Sequence, residues 1–292
     1  MTGATPGPAT GERVLVTGAA SGLGAALAAA WEARGARVLR TDRVSAVSTT
    51  GGGSTTGHVL RLDVTSDDDW AAALDHVEAT WGGLDVLVNN AGVAGGGRLD
   101  VAPIDEWRWI TEINLFGAVR GTRTFTPLLK RQGSGRIVNI ASLAGLVHPA
   151  GMASYNATKA AVVALTETTG HELAAFGVTA HAVCPSYFRT SLVDSLRDSP
   201  AEDAALTGVV AHLVESSPFS ADDIAAAVLE ALDRGEELIL PDQPARDAYA
   251  LKQADRAAYD VVMRRQAAKL HRMAGADLPP DPDRADPTKE TR

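Results

Sequence analysis

The segment Val14-Leu15-Val16-Thr17, followed by Gly18-Ala19-Ala20-Ser21-Gly22-Leu23-Gly24, constrains the fold more than any other stretch of the chain. A short β-branched and aliphatic run reads as a strand buried on both faces. The glycines behind it permit a tight turn where backbone can come close to a ligand, and the alanine-rich stretch that follows reads as a helix. Strand, glycine turn and helix in that order aim the first N–H groups of the helix at the turn, where a pyrophosphate can be received. Such a turn alone also occurs where nothing binds; its position, after the first apolar strand and at the start of the first helix, makes the case.

Downstream, β-rich runs do alternate with longer amphipathic, alanine-rich segments. Strands are predicted near Arg13–Thr17, Ala36–Thr41, His58–Leu62, Leu84–Val88, Gly135–Ala141, Val178–Cys184 and Glu237–Leu240. Helices are predicted near Gly22–Arg34, Ser66–Trp81, Ile104–Lys130, Met152–Phe176 and Ala221–Arg234. The fold class is α/β: a single doubly wound parallel sheet of about seven strands with helices on both faces. Eleven of the thirteen residues in Ser45–Gly57 are Ser, Thr or Gly, which resists helix formation and marks a flexible surface loop. Pro241 and Pro244 stop the sheet, and Ala245–Met273 resumes helical periodicity with Leu251, Ala258, Val262, Leu270 and Met273 along one side. The chain divides into a flexible leader at 1–11, an α/β unit at 12–243, a helical extension at 244–274 and a proline- and charge-rich tail at 275–292, expected to be disordered.

Composition removes several classes of function. With 45% hydrophobic and 22% charged residues over 292 positions, the chain can bury a sizeable core. Lys and Arg total 27 against 36 Asp and Glu, a net charge of −9 with the wrong sign for wrapping a phosphate backbone, so no nucleic-acid partner is expected. The single cysteine, Cys184, has no disulfide partner and no companions for a zinc site. It reads as a small buried hydrophobe in a reducing compartment, and no metal is expected. Met1–Gly11 lacks the basic start and apolar core of a signal peptide, and no run approaches the ~18 apolar residues of a membrane span, which points to the cytoplasm. Ala245–Met273 carries seven Lys and Arg against three Asp. Such a helix could lie on an anionic membrane, but docking of its apolar stripe on its own domain or on a sister subunit is the stronger expectation.

Asp42 ends the second strand, twenty-four residues after Gly18. A carboxylate there can accept both hydroxyls of an adenosine ribose and would repel a 2′-phosphate. Arg43 pulls the other way, since a guanidinium at that corner can pair with a phosphate. Ser21, within the glycine turn, adds no second positive charge. NAD is the expected cofactor, with NADP less favoured.

Tyr155 and Lys159 stand four residues apart and share one helix face. An ammonium beside a phenol pulls its pKa down from about 10, which suits a general acid/base near neutral pH. Ser142 precedes Tyr155 by thirteen residues, and Asn114 lies further upstream. A tyrosine and a lysine four apart are common on solvated helices; four such residues in order behind a nucleotide turn are not. From about Arg13 to Leu240 the chain resembles the short-chain dehydrogenase/reductases. The resemblance rests on the turn Thr17 to Gly24, on Asn89-Asn90-Ala91-Gly92, Asn114 and Ser142, and on Tyr155-Asn156-Ala157-Thr158-Lys159.

The resemblance implies a Rossmann-like catalytic domain that binds cofactor and substrate together and passes a hydride between NAD(H) and a secondary alcohol or ketone. It gives Tyr155 the proton exchange with the substrate oxygen. Lys159 would lower the tyrosine's pKa and grip the nicotinamide ribose, Ser142 would hydrogen-bond the reacting oxygen, and Asn114 would hold a water near the lysine. Cofactor contacts are implied for Gly18, Ser21, Gly22, Leu23, Gly24, Asp42, Arg43, Asp63, Val64, Asn90, Ala91, Gly92, Tyr155, Lys159, Pro185, Phe188 and Thr190. Where the family usually reads Pro-Gly after the sixth strand, this chain has Pro185-Ser186, whose side chain limits positive φ and predicts a slightly different path. By the same analogy Ser142, Leu143, Leu146, Val147, Met152, Tyr155, Tyr187 and Leu192 line the substrate pocket, a mostly apolar set that suits a hydrophobic alcohol or ketone. The long helices Ile104–Lys130 and Met152–Phe176 occupy places where relatives pair subunits, implying a homodimer or homotetramer. Two other readings stay open. One is an NADPH-dependent carbonyl reductase, which Arg43 would favour; the other is a non-catalytic dinucleotide sensor or scaffold, against which the intact Asn-Ser-Tyr-Lys set argues.

Overall fold

Alternation along the first strand determines how the layers stack. In β1 (Arg13–Thr17) the side chains of Val14 and Val16 point to one face and Leu15 to the other, and all three are fully buried. A computed structural model describes residues 11–44, 59–95, 97–190, 204–273 and 275, with backbone alone at 204–207. The expectations for the leader apart from Gly11, for the Ser45–Gly57 loop, for Leu192 and for the tail apart from Gly275 lie outside those residues.

β1 joins β2 (Arg37–Asp42), β3 (Val59–Arg61), β4 (Val86–Asn89), β5 (Gly135–Ile140), β6 (Val178–Val183) and β7 (Leu238–Ile239) in one seven-stranded sheet of order β3-β2-β1-β4-β5-β6-β7. Every pairing is parallel. On the face of Val14 and Val16 pack Leu27 and Trp31 of α1 (Gly22–Ala33) and Ile224 and Val228 of α8 (Ala221–Asp233). On the face of Leu15 pack Trp70 and Val77 of α2 (Asp67–Trp81) and Phe125 and Leu129 of α4 (Gly117–Gln132). The doubly wound parallel sheet expected from the sequence is the fold observed. The strand order reverses between β1 and β4, and the crevice beyond the carboxyl ends of those strands is where such sheets receive ligands.

Local signals set the helix ends. Ser66 accepts a hydrogen bond from the Asp69 N–H at 3.1 Å at the head of α2, three aspartates occupy its first turn, and left-handed Gly82 (φ 66°) ends it. Ser220 and Asp223 form a capping box on α8.

The structure departs from the expected elements in the helices. Ile104–Lys130 is not one helix: α3 (Ile104–Thr111) and α4 are joined by a π-helical turn, Glu112–Phe116. Ala245–Met273 breaks at Asp255, whose extended backbone separates α9 (Gln243–Ala254) from α10 (Arg256–Met273) and whose carboxylate accepts from the Ala258 N–H at 2.9 Å. The expected Met152–Phe176 helix is α6 (Ala153–Leu173) followed by a 3-10 turn. Two helices were not anticipated: α5 (Ala144–Val147), a single turn, and α7 (Ala204–Glu215).

A buried polar chain crosses the sheet into the helices. Asn89 Nδ2 donates to Asn139 Oδ1 at 2.8 Å and to Thr122 Oγ1 at 3.3 Å, and Asn139 Nδ2 donates to Thr166 Oγ1 at 2.9 Å. It links β4 and β5 to α4 and α6. Asn139→Ala strands Asn89 Nδ2 and Thr166 Oγ1 with reduced pairing in a dry interior, which costs about 3 kcal/mol. A thermal melt should show Tm lowered by roughly 6–12 °C for a chain of this size; an unchanged melt would mean that the ladder contributes nothing.

Candidate active site

The glycine turn is shaped by close approach. Gly18 (φ 65°) and Gly22 (φ 55°) take the left-handed conformation. A Cβ on Gly18 would stand 2.9 Å from Ala91 Cα, and one on Gly24 would run into the Gly18 carbonyl and the Asn90 amide. Thr17 Oγ1 accepts from the N–H groups of Asn90 and Ala91 at 3.0 Å each, while Asn90 Nδ2 donates to Thr17 O at 2.8 Å and Gly18 O at 3.3 Å. Ser21 is the N-cap of α1, so Gly22, Leu23 and Gly24 form the first turn with their N–H groups toward the crevice. This is a turn that only backbone can line, and the N–H groups at a helix start suit an anion such as a pyrophosphate.

Asp42 sits at its rim, half-buried, and its Oδ2 accepts from the Ala20 N–H at 3.1 Å. Arg43 is exposed, and its charge reaches Asp63. Asp63 serves first as a turn-former: its Oδ1 accepts from the Thr65 N–H at 2.9 Å and the Thr65 hydroxyl at 2.7 Å, which hold its pKa below the usual carboxylate value. Val64 is buried over Gly117, where a Cβ would come within 2.9 Å of it.

Beyond β4, β5 and β6 the structure brings Asn114, Ser142, Tyr155 and Lys159 together. Asn114 lies in the π-helical turn, where its Oδ1 accepts from the Val93 N–H at 2.8 Å and its Nδ2 donates to Val93 O at 2.9 Å. Gly92 lies between Asn114 and the lysine: a Cβ built there would be 3.1 Å from Asn114 Oδ1 and 3.6 Å from Lys159 Nζ. α6 presents Tyr155 and Lys159 from one face, and Ser142 lies near enough to the Tyr155 phenol to favour its ionised form. Ser142 Oγ also accepts from the Ala144 N–H at 3.1 Å.

The electrostatics differ from the expectation of a tyrosine acidified by its lysine. Lys159 Nζ donates to Ile140 O at 2.8 Å and stands 5.7 Å from the Tyr155 ring centre. Both groups are buried, and burial penalises the charged form of each. Tyr155 is pushed up to about 12 although nearby Ser142 opposes the shift, and Lys159 is brought down to about 8. Burial likewise pushes the Cys184 thiol up to about 12, an inert neutral group packed behind Ser142.

The pocket wall partly differs from the expected one. Tyr155 and Met152 pack with Ala144, Ala94, Ile110 and Val210 in one apolar cluster. Leu146 packs into the core beside Val162, Val163 and Cys184, and Phe188 joins the core between β6 and α8; for both, side-chain burial outweighs exposure to the crevice. Leu143 is half-buried, its N–H donating to Pro185 O at 2.9 Å. Val147 is buried, and Tyr187 is exposed with its carbonyl accepting from Ser217 Oγ at 2.8 Å. Thr190 is half-buried just past a parallel bridge between Arg189 and Ser220. Ser186 does not take a positive φ; among the described non-glycine residues only His148 does (φ 55°). The Ser186 N–H instead donates to buried Asp242 at 2.9 Å, and the other oxygen of Asp242 caps α9 at the Ala245 N–H, also 2.9 Å. Ala94, Ile110, Val210 and Asp242 were missed by sequence reasoning. The Val210–Val214 spacing and an aspartate placed directly before a helix carrying Pro244 were the available signals.

The model of the short chain dehydrogenase family matches residues 12–201. The chain belongs to that family. Members of the short-chain dehydrogenase family are oxidoreductases acting on CH–OH groups. Among curated relatives, the trans-4-hydroxycyclohexanecarboxylate dehydrogenase of Sinomonas cyclohexanicum is 36% identical over 194 residues, covering 63% of this chain and 74% of that protein. A solved short-chain dehydrogenase/reductase from Burkholderia phymatum in complex with NAD superposes with a TM-score of 0.74 at 30% identity, over 85% of this chain and 95% of the other. Another from Burkholderia cenocepacia, in complex with NADP, gives 0.71 at 28%, over 87% and 97%.

Lys159 generates a pH prediction. Its folded pKa, about 8, lies below the ordinary 10.5, so the unfolded chain binds more protons between those values and stability rises with pH across that window. Below pH 8 the folded state bears the full cost of burying the ammonium, roughly 3 kcal/mol for a shift of this size. Denaturant unfolding at pH 7 and pH 10.5 should show wild type gaining on Lys159→Met by about that amount at the higher pH; parallel stabilities at both values would contradict the assignment.

Proposed function

We propose that this short-chain dehydrogenase interconverts a hydrophobic secondary alcohol and its ketone, prefers NAD(H), and uses Tyr155 to exchange the proton of the substrate oxygen. The observation that carries the reading is the buried Tyr155 and Lys159 on one face of α6, with Ser142 near the phenol and an apolar wall beside them at the carboxyl end of the sheet. A bound nicotinamide dinucleotide supplies the hydride donor or acceptor. The residues present fit it. The Gly18–Gly24 cradle suits its pyrophosphate, Asp42 its adenosine ribose, and Asp63 and Val64 its adenine. Asn90, Ala91 and Gly92 would wall the site, and Tyr155 and Lys159 would hold the nicotinamide ribose. Pro185, Phe188 through its backbone, and Thr190 would border the carboxamide.

Reduction adds a hydride to the carbonyl carbon and the Tyr155 proton to its oxygen; oxidation reverses both. Burial keeps Tyr155 a phenol at neutral pH, the form that donates. To act as a base it needs positive charge gathered around it, and Lys159 is the cation within reach. Ser142 can turn its hydroxyl to the same oxygen and stabilise developing charge there. Asn114 is held to Val93 by both ends of its amide, so its backbone is fixed beside the lysine and can support a path for protons to solvent. Met152, Ala144, Ile110 and Val210 offer carbon surface to the rest of the substrate and exclude water from the reacting centre. The preference for NAD rests on Asp42, fixed at the turn by the Ala20 N–H where a 2′-phosphate would meet its charge.

Two experiments test this. In an alcohol and ketone panel followed by NADH absorbance, Tyr155→Phe should lower kcat/KM about 10³-fold while NADH still binds. A variant as fast as wild type would sink the mechanism, and a wild type that binds the dinucleotide but turns over nothing would leave the sensor reading. Asp42→Ala should weaken NAD binding about 10-fold, the loss of hydrogen bonds to a charged acceptor, and improve NADP relative to it. A wild type that binds NADP more tightly than NAD would instead make the protein an NADPH-dependent carbonyl reductase.

A further inference from the structure

The segment that carries Ser142 continues into α5, a helix of one turn. One turn cannot hold itself, because a helix nucleus fixes several residues for a single hydrogen bond. The carbonyls at its end also need partners from outside. They find them in the C-terminal extension, which the chemistry above does not use. Lys252 of α9 donates from Nζ to the Leu146 carbonyl, and the hydroxyl of Tyr259 in α10, itself buried, donates to the Val147 carbonyl. Lys252 Nζ also lies 3.0 Å from His148 Nδ1. An ammonium only donates, so Nδ1 accepts and the Nε2–H of His148 is left to donate to Gly145 O at 3.0 Å. Three successive carbonyls of α5 are thereby capped, two by the extension directly and one through a ring the extension orients.

The other face of α5 meets the reaction site. Gly145 lies against the Lys159 backbone, where a Cβ would stand 2.6 Å from its carbonyl carbon, and Ala144 packs with Tyr155 and Met152. At its head α9 is capped by Asp242, whose second oxygen holds the Ser186 N–H on the opposite wall of the crevice. α10 in turn packs on α7, which supplies Val210. The extension and its cap therefore touch three segments beside the site: α5, the Ser186 backbone after β6, and α7.

We propose that α9–α10 is an internal clamp on the substrate pocket, with Lys252 and Tyr259 as positioning residues that act through the carbonyl end of α5. Its effect on turnover rests on the reaction proposed above; its effect on α5 does not. Tyr259→Phe keeps the buried ring and removes the donor, and Lys252→Met keeps the aliphatic stem. In the full-length protein each should speed amide hydrogen exchange at Leu146, Val147 and His148 about 5-fold, the loss of one hydrogen bond. Each should raise KM for the best ketone of the panel by a similar factor, with kcat and NADH affinity within about 2-fold of wild type. Unchanged exchange in both variants overturns the clamp. Faster exchange with an unchanged KM overturns the positioning role. If wild type turns over no alcohol or ketone, the proposed reaction is what fails, and exchange, which needs no substrate, decides the clamp alone.

Discussion

The ends of β1 and β4 are cross-linked by Thr17 and Asn90, and the rest of the site hangs on that link. One hydroxyl receives two N–H groups of the β4 loop, and one amide returns two hydrogen bonds to the carbonyls of the glycine turn. The two strands lie side by side in the sheet but far apart in sequence. Their connection fixes the turn that leads into α1 and, three residues beyond Asn90, the Val93 backbone that Asn114 grips. The small residues around it follow from this geometry. Gly18 has no room for a Cβ because Ala91 already occupies the space, and Gly24 has none because Asn90 does.

Burial governs the chemistry as much as it governs the fold. Lys159 and Tyr155 are placed where water does not solvate their ions, which drives their proton affinities apart: the lysine is easier to discharge and the phenol harder. A pair so arranged is responsive, because any charge brought into the crevice is weakly screened and acts on both. Sequence spacing could show that the two side chains share a helix face, but it could not show that the ammonium is held by Ile140. Nor could it show how completely the phenol is buried, and burial sets the direction of the tyrosine's shift.

The same distinction separates what was legible from what was not. The parallel strands and the two packed layers follow from local apolar runs alternating with helical segments, and Val14, Leu15 and Val16 display them directly. The candidate site residues are legible as a spaced set, because each spacing maps onto one end of one strand or one face of one helix. What escaped were features decided by a distant partner. Leu146, expected in the pocket, and Phe188, expected against the cofactor, have their side chains claimed by core neighbours. α5 is too short to leave a periodic signal, and its end carbonyls are met by residues of α9 and α10, far along the chain. Asp242 reads as an ordinary cap, and only the folded chain shows that its other oxygen holds the Ser186 backbone where a glycine's freedom is missing.

The π-helical turn at Glu112–Phe116 has a consequence for phase. A single uninterrupted helix from Ile104 onward would advance about 100° per residue throughout, so the orientation of its first half would dictate that of its second. The extra residue in the turn breaks this dependence. It lets α3 set Ile110 against Tyr155 and Met152, lets Asn114 face Val93, and still delivers Gly121 and Phe125 of α4 to the sheet. The turn acts as an angular offset between a half that answers to the reaction site and a half that answers to the core, so the two can be adjusted separately.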